Sequence, residues 1–176
     1  MMALVQDPPS ECWLHPDVEV GRSDVAGRGL FPIVDLAAGT VVSRLGGTLV
    51  GTAELRLLLA SGASDVDSIV VDADVHLLLA PGNDNRFGNH ACDPNLGWVD
   101  ELSLATLEPV TAGDELLHDY AMSIVEPDFV LRCHCRSYRC RQMVEGTDWR
   151  IPQLQRRYAG HWTPYVQRLI DAQSYT

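Results

Sequence analysis

The sequence predicts a mainly β domain with a short helical C-terminal extension, and two observations carry that prediction. Through the first two-thirds of the chain, glycine and proline recur too often for long helices, and short runs rich in Val, Leu and Ile lie between these turn signals. From Pro152 onward the pattern changes: Leu154, Tyr158, Trp162, Tyr165, Val166, Leu169 and Ile170 recur near helical spacing among Arg and Gln residues.

Taken in order, strands are expected at 18–20, 30–34, 40–45, 68–71, 75–79, 96–99, 102–107 and 115–118, each a β-branched or Leu-rich run bounded by turn residues. Thr52 is placed to cap a short helix whose apolar side is Leu55, Leu58 and Leu59 and which Gly62 ends. Two short helices fit after Pro152. Pro164 belongs in the first turn of the second, because proline inside a helix costs ~3 kcal/mol. No repeat, low-complexity tract or linker interrupts the chain. It divides into a lead-in at 1–17, a main domain at 18–124, a cysteine-bearing segment at 125–150 and the helical extension at 151–176, which is suited to packing on the domain or to a dimer face.

At 176 residues the chain is long enough to bury roughly two-thirds of the surface that its unfolded form exposes. No run approaches the ~20 apolar residues that cross a bilayer, and Met1 leads into Asp7-Pro8-Pro9 without an export signal, so an intracellular, cytoplasmic protein away from membranes is expected. The formal charge of -11 repels phosphate backbones and attracts cationic substrates, or simply keeps the chain soluble. Direct nucleic-acid binding is therefore not expected.

Cys133, Cys135 and Cys140 form a C-x-C-x4-C cluster in an Arg-rich polar stretch, where buried apolar cysteines do not belong. An odd cysteine count without an export signal favours a metal over disulfides. A tetrahedral structural zinc needs a fourth ligand, available from Cys12, Cys92, His134 or His90. Cys92 is preferred because it lies in the segment that the cysteine-rich tail has to cover. Such a site fixes the tail over the rest of the domain.

Three ordered pieces carry the chemistry: Gly27-Arg28-Gly29-Leu30-Phe31, then Arg86-Phe87-Gly88-Asn89-His90-Ala91-Cys92-Asp93-Pro94-Asn95, then Gly113-Asp114-Glu115-Leu116 with Asp119-Tyr120. Alone, the first is a tight turn before a strand. Together, in this order and spacing from about residue 18 to about residue 145, they resemble the SET-domain protein lysine methyltransferases with a post-SET zinc segment. The resemblance implies a fold of several small sheets with a pseudoknot, one of the rare exceptions to the rule against threaded loops.

The resemblance also implies site roles. S-adenosylmethionine is expected at Gly27, Arg28 and Gly29 and at Arg86, Asn89 and His90, with Trp149 packing on it or serving as an ordinary core aromatic. Tyr120 matches the active-site tyrosine, and Phe87 and His118 are expected to line the substrate channel. Asp119 is expected to anchor the turn. Two positions depart from the family's pattern: His118 stands where phenylalanine or tyrosine is usual, which puts the number of methyl groups in question, and Ala91 replaces a serine. The short insert at 52–74 carries Asp65, Asp67, Asp72 and Asp74, an acidic lip for a basic peptide or a solvated turn.

The implied activity is transfer of a methyl group to an amine, foremost a protein lysine. A non-catalytic zinc-stabilised module for a basic peptide, or a methyltransferase for a small amine metabolite, fits the same residues. The match by itself names no histone as acceptor and leaves the oligomeric state open.

Overall fold

A computed structural model describes residues 7–63 and 66–173. Along the chain run β1 (Trp13–Leu14), β2 (Val18–Arg22), β3 (Arg28–Pro32), β4 (Val41–Arg44), β5 (Gly47–Gly51), α1 (Thr52–Ala60), β6 (Ser68–Asp72), β7 (Val75–Leu79), β8 (Asn89–His90), β9 (Leu96–Trp98), β10 (Ser103–Thr106), β11 (Leu117–His118), β12 (Val130–Arg132), β13 (Met143–Glu145), α2 (Pro152–Arg157) and α3 (Pro164–Gln173). Short 3-10 turns occupy Asp84–Phe87, Tyr120–Met122 and Asp148–Arg150.

These strands make a six-stranded sheet in the order β1-β4-β10-β9-β11-β8, a three-stranded sheet β5-β7-β6, and two hairpins, β2-β3 and β12-β13. The fold is thus mainly β, in several small sheets, as the turn-punctuated sequence predicts. In the large sheet the late strand β11 enters between β8 and β9 and runs parallel to both, with Leu117 opposite Asn89 and His118 opposite His90 and Leu96. An isolated bridge between Leu30 and Leu116 brings the first hairpin to the same place. This insertion of a later segment between two earlier neighbours joins the three sequence pieces, which lie far apart in the chain.

The strands expected at 30–34 and 102–107 are displaced or trimmed. The first begins at Arg28, where it pairs with Arg22 directly after the turn at Gly27, and leaves Ile33 and Val34 exposed. Strands β1, β5, β8, β12 and β13 had no expected counterpart, being two or three residues long, bounded by glycine, or polar. Gly51, not Thr52, holds the cap position of α1. The Thr52 hydroxyl instead meets His76 Nε2 at 3.0 Å, and of the expected apolar side Leu55 is buried while Leu59 is exposed.

One core unites the sheets with the C-terminal helices: Leu30, Leu77, Leu96, Leu116 and Met122 pack in the same cluster as Tyr158, Trp162, Val166 and Ile170. Each fully buried aliphatic side chain of this kind stabilises by ~1.5–3 kcal/mol. The extension therefore packs on the domain. The Thr163 N–H and hydroxyl both donate to the Met122 carbonyl, at 3.1 and 3.2 Å, and hold α3 beneath the 120–122 turn. No described helix is long and apolar enough to cross a membrane.

Candidate active site

Tyr120 opens the 3-10 turn after β11, and Asp119 caps that turn by accepting the Ala121 N–H at 3.0 Å. The Tyr120 hydroxyl donates to the Gly88 carbonyl at 3.1 Å. Both residues line a cavity of about 190 Å³ whose apolar walls include Leu30, Ile69, Leu96, Trp98 and Leu104 and whose acids are Asp67 and Glu126. Burial, with Asp67 adding to it, raises the Tyr120 pKa, so the phenol keeps its proton and its oxygen remains an acceptor.

His118 lies beside Tyr120, with ring centroids 4.9 Å apart, and also lines the cavity. Its Nδ1 is buried without a hydrogen-bond partner among the described residues. Burial, helped by the nearby His90 and opposed by Asp119, pushes its pKa down to about 4, which leaves a neutral ring with an unused nitrogen in the cavity wall.

On the other side of β8 lies the glycine loop. The Asn89 amide shares its N–H groups among the carbonyls of Ala26 (3.1 Å) and Arg28 (2.8 Å) and Glu115 Oε1 (2.8 Å). Glu115 Oε2 accepts from the Ser23 hydroxyl at 2.8 Å, and Ser23 Oγ in turn accepts the N–H groups of Val25 and Ala26. Gly27 has φ +53 with open space where a side chain would stand, and a Cβ on Gly29 would collide with the Glu115 carboxylate. The two glycines thus answer different demands, a left-handed turn and a close approach. Gly27 and Arg28 are exposed, so this part of the loop is open to solvent. The Arg28 guanidinium lies 4.2 Å over the Phe87 ring.

The four sulfurs of Cys92, Cys133, Cys135 and Cys140 lie within 4.8 Å of one another, and Cys92 and Cys133 are 3.8 Å apart. Ligands at ~2.3 Å from a tetrahedral zinc stand at about this separation, so the donor set fits the ion. Backbone N–H groups of Cys135, Arg141 and Gln142 point at the sulfurs of Cys133, Cys92 and Cys140 at 3.3–3.4 Å, as suits thiolates. Burial pushes the Cys92 thiol up to about 11, so holding it as thiolate calls for a cation. Cys12 stays apart, bonded to the backbone of Gly46.

Behind Tyr120 the chain is tied by a buried carboxylate. Asp119 is 0% exposed and receives both Arg141 Nη atoms at 2.6 and 2.7 Å and the Tyr158 hydroxyl at 2.9 Å. Burial alone would raise its pKa, but the hydrogen bonds and charge of Arg141 outweigh it and hold the carboxylate below its usual range. Arg141 also reaches Asp148 at 2.9 Å, and Arg157 reaches the Cys92 carbonyl at 2.9 Å.

The structure therefore brings together Gly27, Arg28 and Gly29 as one loop clasped by Asn89 from β8, Tyr120 and His118 as one cavity wall, and Cys92, Cys133, Cys135 and Cys140 as one cluster. Arg86 lines the cavity and pairs with Asp67 at 3.2 Å. Phe87 packs under Arg28, while its neighbours Arg86 and Gly88 form the cavity wall. The His90 ring is 3% exposed and faces Cys92 and Tyr120, so only its backbone is left to meet a ligand. Trp149 is 6% exposed and packs in the hydrophobic core with Leu154 and Val166.

The acidic lip is smaller than expected. Asp65 lies outside the described residues, Asp72 is engaged by Arg168 at 2.9 Å, and Asp74 sits in a turn with φ 57. Asp67 remains at the cavity, joined by Glu126. Sequence reasoning missed Glu126, Glu115, Arg141 and Tyr158; only Glu115 lay inside a motif, and nothing local marks the others.

A comparison with family models matches residues 27–121 to the SET domain. The chain is 27% identical over 150 residues to the histone-lysine N-methyltransferase ash1 of Drosophila melanogaster, covering 79% of this chain and 7% of that protein. Its fold is similar to the methyltransferase domain of human histone-lysine N-methyltransferase SETMAR, with a TM-score of 0.58 at 20% identity over 74% of this chain and 57% of the other. It is also similar to KRYPTONITE, solved in complex with mCHG DNA and SAH, with a TM-score of 0.55 at 23% identity over 72% of this chain and 28% of that one. The chain spans less than a tenth of the length of the first curated relatives it matches.

Proposed function

Because the chain belongs to the SET-domain family, we propose that it transfers a methyl group from S-adenosylmethionine to the side-chain amine of a protein lysine. The observation that carries this reading is the cavity in which the Tyr120 hydroxyl, the Gly88 carbonyl and His118 Nδ1 gather between apolar walls, on the far side of β8 from the glycine loop. The cofactor supplies a methyl group already activated on a sulfonium sulfur.

The chain's own residues supply position and dryness. Gly27, Arg28 and Gly29, shaped by Asn89 and Glu115, are the proposed seat of the cofactor, with backbone at β8 completing it. A lysine entering past Asp67 and Glu126 meets apolar walls that lower the amine's pKa from its ordinary ~10.4, so that a lone pair becomes available. Tyr120 Oη, whose hydrogen is committed to Gly88, accepts an amine N–H and turns the lone pair toward the methyl group; alignment of this kind supplies several kcal/mol. The four cysteines hold a structural zinc that fixes the 133–142 tail behind Tyr120.

A basic protein segment of the histone type is the proposed acceptor, favoured by the chain's acidity and by what its relatives are named for. Such an acceptor argues for a place beside chromatin and not the purely cytoplasmic one expected from the sequence. The test is transfer of labelled methyl groups from S-adenosylmethionine by zinc-loaded protein to core histones, unrelated basic proteins and small amines, with Tyr120→Phe beside wild type. We expect label on lysine in a basic protein, reduced on the order of 10²-fold in Tyr120→Phe. Label confined to small amines would move the acceptor class. Normal cofactor binding without any transfer would make the chain a binding module.

A further inference from the structure

We propose that the outer face of the β12–β13 hairpin, with the cysteine loop that it carries, is a docking surface for an acidic, partly apolar segment of a partner protein. Residues 129–144 hold four of the chain's 13 basic residues and none of its 24 acids, in a protein whose formal charge is -11. The cysteines set the direction of those arginines. Cys133 and Cys135 turn inward to their cluster, and alternation along the extended chain leaves Arg132, His134, Arg136 and Tyr138 exposed. In the hairpin itself, Val130 lies opposite Glu145 and Arg132 opposite Met143, all exposed, while Leu131 and Val144 face the cysteines.

Nothing inside the chain accounts for the composition of this face. Tyr138 is 81% exposed, Val130 57% and Met143 45%, so no packing within the domain selects their apolar groups. Among the described residues neither Arg132 nor Arg136 has a carboxylate partner, whereas Arg139 stands 3.6 Å from Asp93 and stacks 4.8 Å over the Tyr138 ring. Arg, Tyr and Met are the side chains enriched where proteins meet. The cysteine cluster already holds the loop, so docking costs little further ordering of its backbone. The arginines select an acidic occupant and the apolar groups select a protein. A phosphate backbone would leave Val130 and Met143 uncovered, and the chain's net negative charge repels a polyanion at long range. The opposite side of the hairpin packs near Tyr120, so an occupant here leaves the active-site turn untouched.

Fluorescence anisotropy on the zinc-loaded full chain tests this without any enzymatic readout. Three labelled probes are compared: a short peptide of glutamate interspersed with leucine and phenylalanine, the same peptide with glutamine for glutamate, and a short duplex DNA. The acidic peptide should bind more tightly than the other two, and its affinity should fall as salt rises. Arg132→Glu combined with Arg136→Glu should weaken it by more than about tenfold, and Tyr138→Ala by about tenfold, the loss typical of an interface anchor. Arg132→Lys combined with Arg136→Lys, which keeps the charge, should retain most of the affinity. Zinc content should match wild type in all of them, because the altered side chains are exposed. If the charge-reversed chain loses its zinc, the glutamine peptide still decides the role of charge and Tyr138→Ala still decides the place. Failure of the acidic peptide to bind overturns the proposal, as does binding that these substitutions leave unchanged. Tighter binding of DNA would make the partner a nucleic acid. Self-association seen by sedimentation and lost in Tyr138→Ala would make it a second copy of this chain, and either result also overturns the proposal.

Discussion

The glycine loop at 27–29 and the turn at 119–120 flank the same strand, β8, yet they are held in opposite ways. The loop is exposed and hangs on the amide of Asn89 and the carboxylate of Glu115, neutral or half-solvated bonds that each contribute ~0.5–1.5 kcal/mol. The turn is buried around Asp119, which takes two bonds from Arg141, one from Tyr158 and one from the Ala121 N–H. The region proposed to admit the cofactor keeps its backbone near water and its restraints weak. A region that has to hold one hydroxyl against one carbonyl is over-determined from three directions in the chain.

The largest break of this contrast is Arg141→Ala. It strands a carboxylate with 0% exposure, and an unpaired buried charge costs ~3–5 kcal/mol. Urea unfolding should show a loss of that order, and Asp119→Asn placed in the same background should restore part of it, since the amide carries no charge to leave unpaired. A loss under ~1 kcal/mol in Arg141→Ala would show that water reaches Asp119 and that the turn is not held as described.

Asn89→Ala tests the other region and should separate binding from stability. Unfolding free energy should fall by only ~1 kcal/mol, because the amide works at an exposed loop. Affinity for S-adenosylmethionine, measured by calorimetry, should fall about tenfold, a further ~1.4 kcal/mol, as the carbonyls of Ala26 and Arg28 lose their clasp. A large stability loss with unchanged affinity would reverse the roles assigned to the two regions.

The contrast also explains what could be read in advance. The cysteines are legible from their own spacing, a C-x-C-x4-C run in a polar stretch, whereas the glycine loop, Asn89 and Tyr120 are legible only through the order and spacing of the three motifs that resemble the SET-domain family. The buried turn is not legible in the same way. Arg141 and Tyr158 matter because β11 enters between β8 and β9 and because α2 returns beneath it, and no pattern along the chain encodes those meetings. Trp149 lies in the core with residues of the helices after Pro152, a packing that tertiary contacts set and its neighbours in sequence do not announce.

The smallest expected effect belongs to His118, which sits where the cavity and the buried turn meet. Its folded pKa is lowered to about 4 against an unfolded value of ~6.5, chiefly by burial. Between those two values the unfolded chain binds the proton and the folded one does not, so this residue's contribution to stability is whole above pH ~6.5 and declines as the pH falls toward 4. Asp119 also draws stability from its ionised state, but its lowered pKa places that loss at more acidic pH, so the two titrations separate. Thermal melts of wild type and His118→Phe at pH 7 and pH 5 should therefore differ, with the variant losing less of its stability on acidification. The same substitution removes Nδ1 as an acceptor from the cavity wall. An unmethylated amine has two N–H groups to share between Tyr120 Oη and that nitrogen, whereas a monomethylated one has a single N–H, so loss of the second acceptor should raise the share of products carrying more than one methyl group, read by mass spectrometry of the modified lysine. An altered pH slope with an unchanged product distribution would place the His118 ring among the supports of the turn and take it out of contact with the substrate.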